Sequence, residues 1–420
     1  MGIKNKIGKL LFGNLIKEEI FINEVKTVIR TDSIKEFIRL QSENRKKILE
    51  YRDEHGASLL HYAVSKGAKA IVKKLVNDRY FHVDVENLNE FTPFHVAVVA
   101  GNVEIASFLI QNGADINKIS RNATPLINAV ANGNIKLVKF LLESGASIEV
   151  QSEGICESAF LSAMQTSRYD IAKLLLSYGV NLKSKGSGNY YALHLDAMNK
   201  GGMLSELVSL GLPVDSRTNT GRTALFETIN FSKYYNACSL ISMGADVSAQ
   251  DNNGDFVLYN QYPLFNPDKH IEMLKLFIDS GFDVNSTTPY GETLLHNAVF
   301  FDQPKSVSLL IKHNANIDAT MNDASDREHA RGYVESKSFE QHCKINKISP
   351  IKGWCDGWTP LHLAAKNGCM DCMKILLQQQ AKVNLKNKDG FTPLDIAYKV
   401  GYKLKVDLLL THGALRGNQI

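Results

Sequence analysis

Asp356–Asp389 reads DGWTPLHLAAKNGCMDCMKILLQQQAKVNLKNKD. Two short apolar segments are set apart by a glycine, and a polar turn follows. Thr359 is suited to a helix N-cap, and Pro360 falls in the first turn, where its missing N–H costs no hydrogen bond. Leucines and alanines at helical spacing then face a core. Gly368 can adopt the left-handed conformation that stops the first helix. The run ending in Leu376-Leu377 supplies a second helix. Such a hairpin cannot bury its apolar face alone, so it must stack on copies of itself.

Those copies are present. GFTPLDIAYKVG begins at Gly390, and Thr392 lies 33 residues after Thr359. FTPFHVAVVAGNVEIASFLIQNGADIN starts at Phe91, ATPLINAVANGNIKLVKFLLESGASIE at Ala123, and GETLLHNAVF at Gly291. Weaker copies start near Gly56, Ser158, Tyr191, Thr223 and Phe256. Aligned on the Thr position, the starts are 58, 92, 124, 158, 191, 223, 256, 293, 359 and 392. All steps lie between 32 and 37 except one of 66.

The Thr-Pro-Leu-His-x-Ala pattern at this period resembles the ankyrin-repeat family over about residues 20–415. The resemblance implies an all-α fold: an ankyrin-repeat solenoid of stacked helix-turn-helix units with β-turn fingers. It also implies that His61, His95, His194, His296 and His362, at or near the fourth position of the pattern, are structural and link adjacent fingers.

The chain divides accordingly. Residues 1–19 form an amphipathic leader. Residues 20–54 form a truncated capping repeat: a helix over Ile20–Ile29, a second opened by a Ser33/Glu36 capping box, and Ile48–Asp53 leading into the first finger. Residues 55–321 hold repeats 1–8, and 354–420 hold repeats 9 and 10. There Lys399, Lys403 and Lys405 are expected to keep the terminal surface polar. The 66-residue step leaves 322–353, a polar stretch without leucine. We read it as an insertion extending one finger, with a degenerate repeat as the alternative.

Charge excludes one class of partner. With 48 basic and 44 acidic residues, the chain has no concentrated basic character that would point to nucleic acid. The six cysteines are sparse and irregular, which fits a reducing compartment and a cytoplasmic protein. No apolar run is long enough to span a bilayer. Residues 1–19 could lie on a membrane surface as an amphipathic helix; packing over the first repeat, or fraying, is the plainer reading.

Enzymatic signatures are missing: no phosphate loop, nucleophile elbow, HExxH or kinase set. No catalytic residue and no cofactor are expected. Cys369 and Cys372, with Cys343, Cys355 and His342, suggest zinc, but the spacing is incomplete, and the first two fall in an ordinary stretch between helices. We expect no metal. Leu109–Asn117 and Leu376–Asn384 resemble finger segments that asparaginyl hydroxylases modify; the plainer reading is a turn asparagine.

The resemblance implies a non-enzymatic protein-interaction scaffold or adaptor, monomeric, binding through finger tips and the groove of first helices. The residue before the pattern's Thr is generally exposed in the family. Candidate contacts are therefore Phe91, Arg222, Trp358 and Phe391, together with Trp354 and the tips Arg121, Tyr290 and Lys388; for Trp354 and Trp358, which flank the end of the polar stretch, packing against that stretch is the equal alternative. Asn89, Lys185, Arg217 and Asn252 are further tips. Alternatives are a secreted bacterial effector that binds host proteins and a membrane-recruited adaptor.

Overall fold

The computed structural model describes residues 17–149, 158–259, 267–322, 356–367 and 369–420. The described residues are helical apart from turns and two isolated β-bridges, Ser120–Ala123 and Gln250–Phe256. They fall into two compact units, Met1–Leu195 and Asp196–Ile420, with helix Ala192–Met198 carrying the boundary.

The first unit opens with α1 (residues 17–30), α2 (Ile34–Glu43) and α3 (Arg45–Glu50). Two expectations change here. Ser33 makes no side-chain cap bond. Its neighbour Asp32 instead accepts from the N–H groups of Ala70 and Ile71 at 3.0 and 3.1 Å, capping a helix of the next repeat. Residues 45–50 form a helix rather than a lead into the finger, because Asn44 accepts from Lys47 N and starts one.

Four hairpins follow: α4 (Leu59–Ser65) with α5 (Lys69–Asn77), α6 (Pro93–Val99) with α7 (Val103–Gln111), α8 (Pro125–Ala131) with α9 (Ile135–Glu143), and α10 (Ala159–Gln165) with α11 (Tyr169–Ser177). First helices pack on first helices (α4 on α6, α6 on α8, α8 on α10), and second helices do likewise. Leu60, Ala63 and Val64 of α4 and Ile71, Val72 and Leu75 of α5 are fully buried, as the helical spacing requires. Gly101 and Gly133 end their first helices at φ 71° and 72°, where a side chain would press on Asn134 and Arg168 of the next hairpin.

After α12 (Ala192–Met198), the second unit contains α13 (Leu204–Ser209), α14 (Ala224–Asn230), α15 (Tyr234–Ser242), α16 (Pro267–Asp279), α17 (Leu294–Phe300) and α18 (Pro304–Lys312). It continues with α19 (Pro360–Lys366), α20 (Met370–Gln378), α21 (Pro393–Val400) and α22 (Lys403–Thr411). Despite the long step, α17 packs directly on α19, and α18 on α20.

The finger geometry shows how. In an ordinary finger Asn87 N donates to Phe91 O at 3.0 Å, and Glu90 N returns to Asn87 O at 3.0 Å. At the long step Met321 N donates to Trp358 O at 3.0 Å, and Gly357 N to Met321 O at 2.8 Å. Met321 and Trp358 thus take the positions of Asn87 and Phe91. Residues 1–16, which carry most of the leader, and 323–355, which carry almost all of the polar stretch, lie outside the described residues. So do Trp354, Cys343, Cys355 and His342.

Candidate functional site

In four repeats a histidine ties its own N-cap to a carbonyl of the following finger. His95 Nδ1 accepts from Thr92 N at 3.2 Å, which leaves the ring proton on Nε2 to donate to Lys118 O at 2.9 Å. His61, His296 and His362 do the same: Nε2 reaches Phe91 O (2.9 Å), Trp358 O (3.2 Å) and Phe391 O (3.0 Å). Burial favours the neutral ring. It holds His61 and His95 below the usual histidine range and pushes His362 down to about 4, although the carbonyl bond opposes the shift. These rings are joints, not acids or bases. His194 Nδ1 accepts from Tyr191 N at 3.3 Å in the same manner.

A second ladder runs along the fingers. Asp84 accepts from Asp115 N (3.1 Å), Asn117 from Ser147 N (2.9 Å) and Glu149 from Asn181 N (2.8 Å). In the second unit Asp215 accepts from Asp246 N (3.1 Å), Asn285 from Asn316 N (2.6 Å), Asp318 from Lys382 N (2.9 Å) and Asn384 from Leu415 N (2.7 Å). The asparagine side chains considered for hydroxylation, Asn117 and Asn384, are therefore engaged in stacking.

Where the histidine fixes the carbonyl before the Thr, at Phe91, Trp358 and Phe391, the side chain there has a defined place. In the first unit Phe91 is half-buried, with the Arg121 guanidinium 5.9 Å from its ring centre. Arg121 is exposed and also donates to Asn89 Oδ1. Lys185 lies 5.4 Å from the Tyr191 ring.

In the second unit Arg222 is half-buried, near Asp251 (3.5 Å) and the Phe226 ring (5.9 Å). Arg217 donates to Gly221 O and Gln250 O, and Asn252 to Asn219 O; these tips bind their neighbours. Tyr290 is half-buried, its carbonyl accepting from Asn322 N at 2.8 Å. Lys388 is exposed and paired with Asp356 at 2.5 Å.

Of the two readings of Trp358, contact residue or packed residue, burial favours the second: it is only 6% exposed, so its indole is no finger-tip contact. Phe391, at the same register, is 38% exposed. Each has a lysine ammonium 5.3 Å from its ring, Lys366 and Lys399 respectively. Tyr398, on the same helix as Lys399, is 47% exposed, with Arg416 5.3 Å from its ring. Phe391 with Lys399 and Tyr398 with Arg416 give the last repeat two exposed aromatic–cation pairs. Cations over aromatic faces suit carboxylate and apolar side chains of a partner, and such side chains are frequent binding hot spots.

Sequence reading missed the parts played here by Asp395, Lys405 and the Cys369–Cys372 pair. Asp395 stands where other repeats have histidine. Its carboxylate accepts from Thr392 N and Gly417 N (3.0 and 2.7 Å) and pairs with Arg416 at 3.0 Å. Burial would raise it, but these bonds outweigh burial and hold it below the usual carboxylate range. The Asp in TPLD was the visible signal. Lys405 is buried, not part of a polar surface: its ammonium donates to the carbonyls of Ala364, Ala365 and Asn367, and desolvation pushes it down to about 8. Cys369 and Cys372 are joined as a disulfide, contrary to the reading as reduced, inert cysteines. Asp302 lies beside them, completing the one group of potential metal-ligating side chains among the described residues. With the sulfurs bonded to each other, the pair offers no thiolates to zinc.

Comparison with known proteins agrees with this architecture. A family model described as ankyrin repeats (3 copies) matches residues 30–120, 60–152, 117–186 and 334–418. A second, ankyrin repeats (many copies), matches 266–311. The chain is 27% identical over 372 residues to human transient receptor potential cation channel subfamily A member 1, covering 84% of this chain and 30% of that protein. It is 25% identical over 349 residues to the putative ankyrin repeat protein L371 of Acanthamoeba polyphaga mimivirus, covering 81% and 40%. The chain thus spans less than half the length of these relatives. The human ASB11 ankyrin repeat domain, a crystal structure, aligns with a TM-score of 0.47 and 23% identity, over 54% of this chain and 99% of that one. No described helix is long and apolar enough to cross a membrane.

Proposed function

The chain belongs to the ankyrin-repeat family, whose repeats generally mediate protein–protein contacts, and from that premise we propose that it is a non-enzymatic adaptor. Its partner is a protein with carboxylate and apolar side chains, docked on the finger side of the last repeats. The observation that carries this reading is the surface of Phe391, Tyr398, Lys399 and Arg416. Phe391 and Tyr398 remain 38% and 47% exposed, although the bonds that hold the stack use only the backbone at 391 and not their rings. Phe91 with Arg121 gives the first unit a comparable pair. The same reading makes the protein a cytoplasmic monomer.

Photocrosslinking tests the placement. A photoreactive side chain at position 398 should capture the partner, and the same side chain at Lys374, on the second helix of the preceding repeat, should not. Equal capture at both positions, or capture only at 374, would refute the assignment.

A further inference from the structure

In the first hairpins the glycine that ends the first helix faces the residue that starts the second helix of the next hairpin. A side chain at Gly67 would lie 3.5 Å from Asn102, and one at Gly101 would lie 3.1 Å from Asn134. Those asparagines are N-caps: Asn102 accepts from Ile105 N at 3.0 Å and Asn134 from Leu137 N at 3.1 Å. In the second unit the same three positions hold other chemistry. Asp302 replaces the glycine, keeping a left-handed φ of 52°. Cys369 replaces the capping asparagine, and Cys372 the residue whose N–H is capped. Lys405, one hairpin further on, places its ammonium on the carbonyls of Ala364, Ala365 and Asn367.

The column therefore contains a buried cysteine pair at a helix N-terminus, a carboxylate with its Oδ1 3.7 Å from Cys372 Sγ, and a buried cation. A helix N-terminus and a nearby cation both favour a thiolate. We propose that Cys369 and Cys372 are a redox-modification site, a dithiol–disulfide couple that exchanges with small-molecule disulfides, with Asp302 accepting the proton of the second thiol.

The Cys369 thiolate attacks one sulfur of the small disulfide RSSR, forming a Cys369–S–S–R bond and releasing RS⁻. Cys372 passes its proton to the Asp302 carboxylate. The Cys372 thiolate then attacks Cys369 Sγ, breaks the mixed disulfide and releases a second RS⁻. The two protein thiols lose two electrons and two protons, and RSSR becomes two RSH. Burial raises the Asp302 carboxyl above the usual range, as suits a proton acceptor, and its exposed edge returns the proton to solvent. Cys369 is itself 1% exposed, so exchange waits on local opening around the pair.

The full chain would be equilibrated across a ladder of reduced and oxidised glutathione, quenched in acid, unfolded, alkylated and weighed intact. Two of the six cysteines should titrate together, and peptide mapping should place both in the segment 369–372. Cys369→Ser keeps an N-capping residue and therefore the fold, and should abolish the paired step. Asp302→Asn should keep the midpoint but slow approach to it, on the order of 10²-fold. The proposal is overturned if the pair stays reduced at the oxidised end, or stays bonded in the folded chain at the reduced end. Stoichiometric zinc on the reduced chain that Cys369→Ser removes would overturn it too.

Discussion

Trp358 and Phe391 occupy one register in consecutive repeats and have almost the same backbone surroundings. Each carbonyl accepts from the histidine of the preceding repeat, and each is followed by a Thr-Pro N-cap. Each ring has a lysine 5.3 Å away, eight positions on. Yet one ring is buried and the other open. The repeat dictates where a side chain emerges, but not whether solvent or a partner can reach it. A binding surface cannot be taken from register alone.

Substituting the two rings should separate these roles. Trp358→Ala should cost about 3–5 kcal/mol in urea unfolding, the usual loss for a buried large aromatic. Phe391→Ala should stay within about 1 kcal/mol of the parent. Equal losses would mean that both rings are structural.

Acid acts on the joints that both residues share. Burial holds the folded-state His362 near 4, below its unfolded value of 6.5, so its contribution is present above pH 6.5 and lost as pH falls toward 4. That contribution is on the order of 3 kcal/mol. Melting temperature should fall over this window, and His362→Gln should flatten the fall. A fall of unchanged size in that variant would clear the ring of responsibility.

The long step sharpens the comparison further. His296→Ala and His362→Ala should each cost about 2 kcal/mol, although one joint spans 62 residues and the other 29. A much smaller loss for His296 would show that the junction at the long step is weaker than its geometry. Smallest of all, Asp318→Ala and Asn117→Ala remove equivalent finger-ladder bonds and should each cost about 1 kcal/mol by chemical denaturation. Divergence between them would mean that the ladder is not continuous across Met321 and Trp358.

The fold was legible because its determinants are local: Thr-Pro caps, left-handed glycines and leucine spacing recur every 33 residues or so. The histidine joints were legible through resemblance. What escaped depended on contacts between residues far apart in sequence. Lys405 looks like any surface lysine until the carbonyls of the preceding hairpin close around it. Asp302 and Cys369 lie 67 positions apart, and only the direct packing of α17 and α18 on α19 and α20 brings them together. Ser33 had a capping-box pattern, but the neighbouring Asp32 caps a helix of the next repeat instead.

The central claim is that the open member of the register binds and the buried member holds the fold. Affinity capture with mass spectrometry would compare the intact chain with Phe391→Ala/Tyr398→Ala and with Trp358→Phe, each at matched melting temperature. The account predicts a partner that is lost with the double variant and kept with Trp358→Phe. A partner kept by the double variant and lost with Trp358→Phe would contradict it.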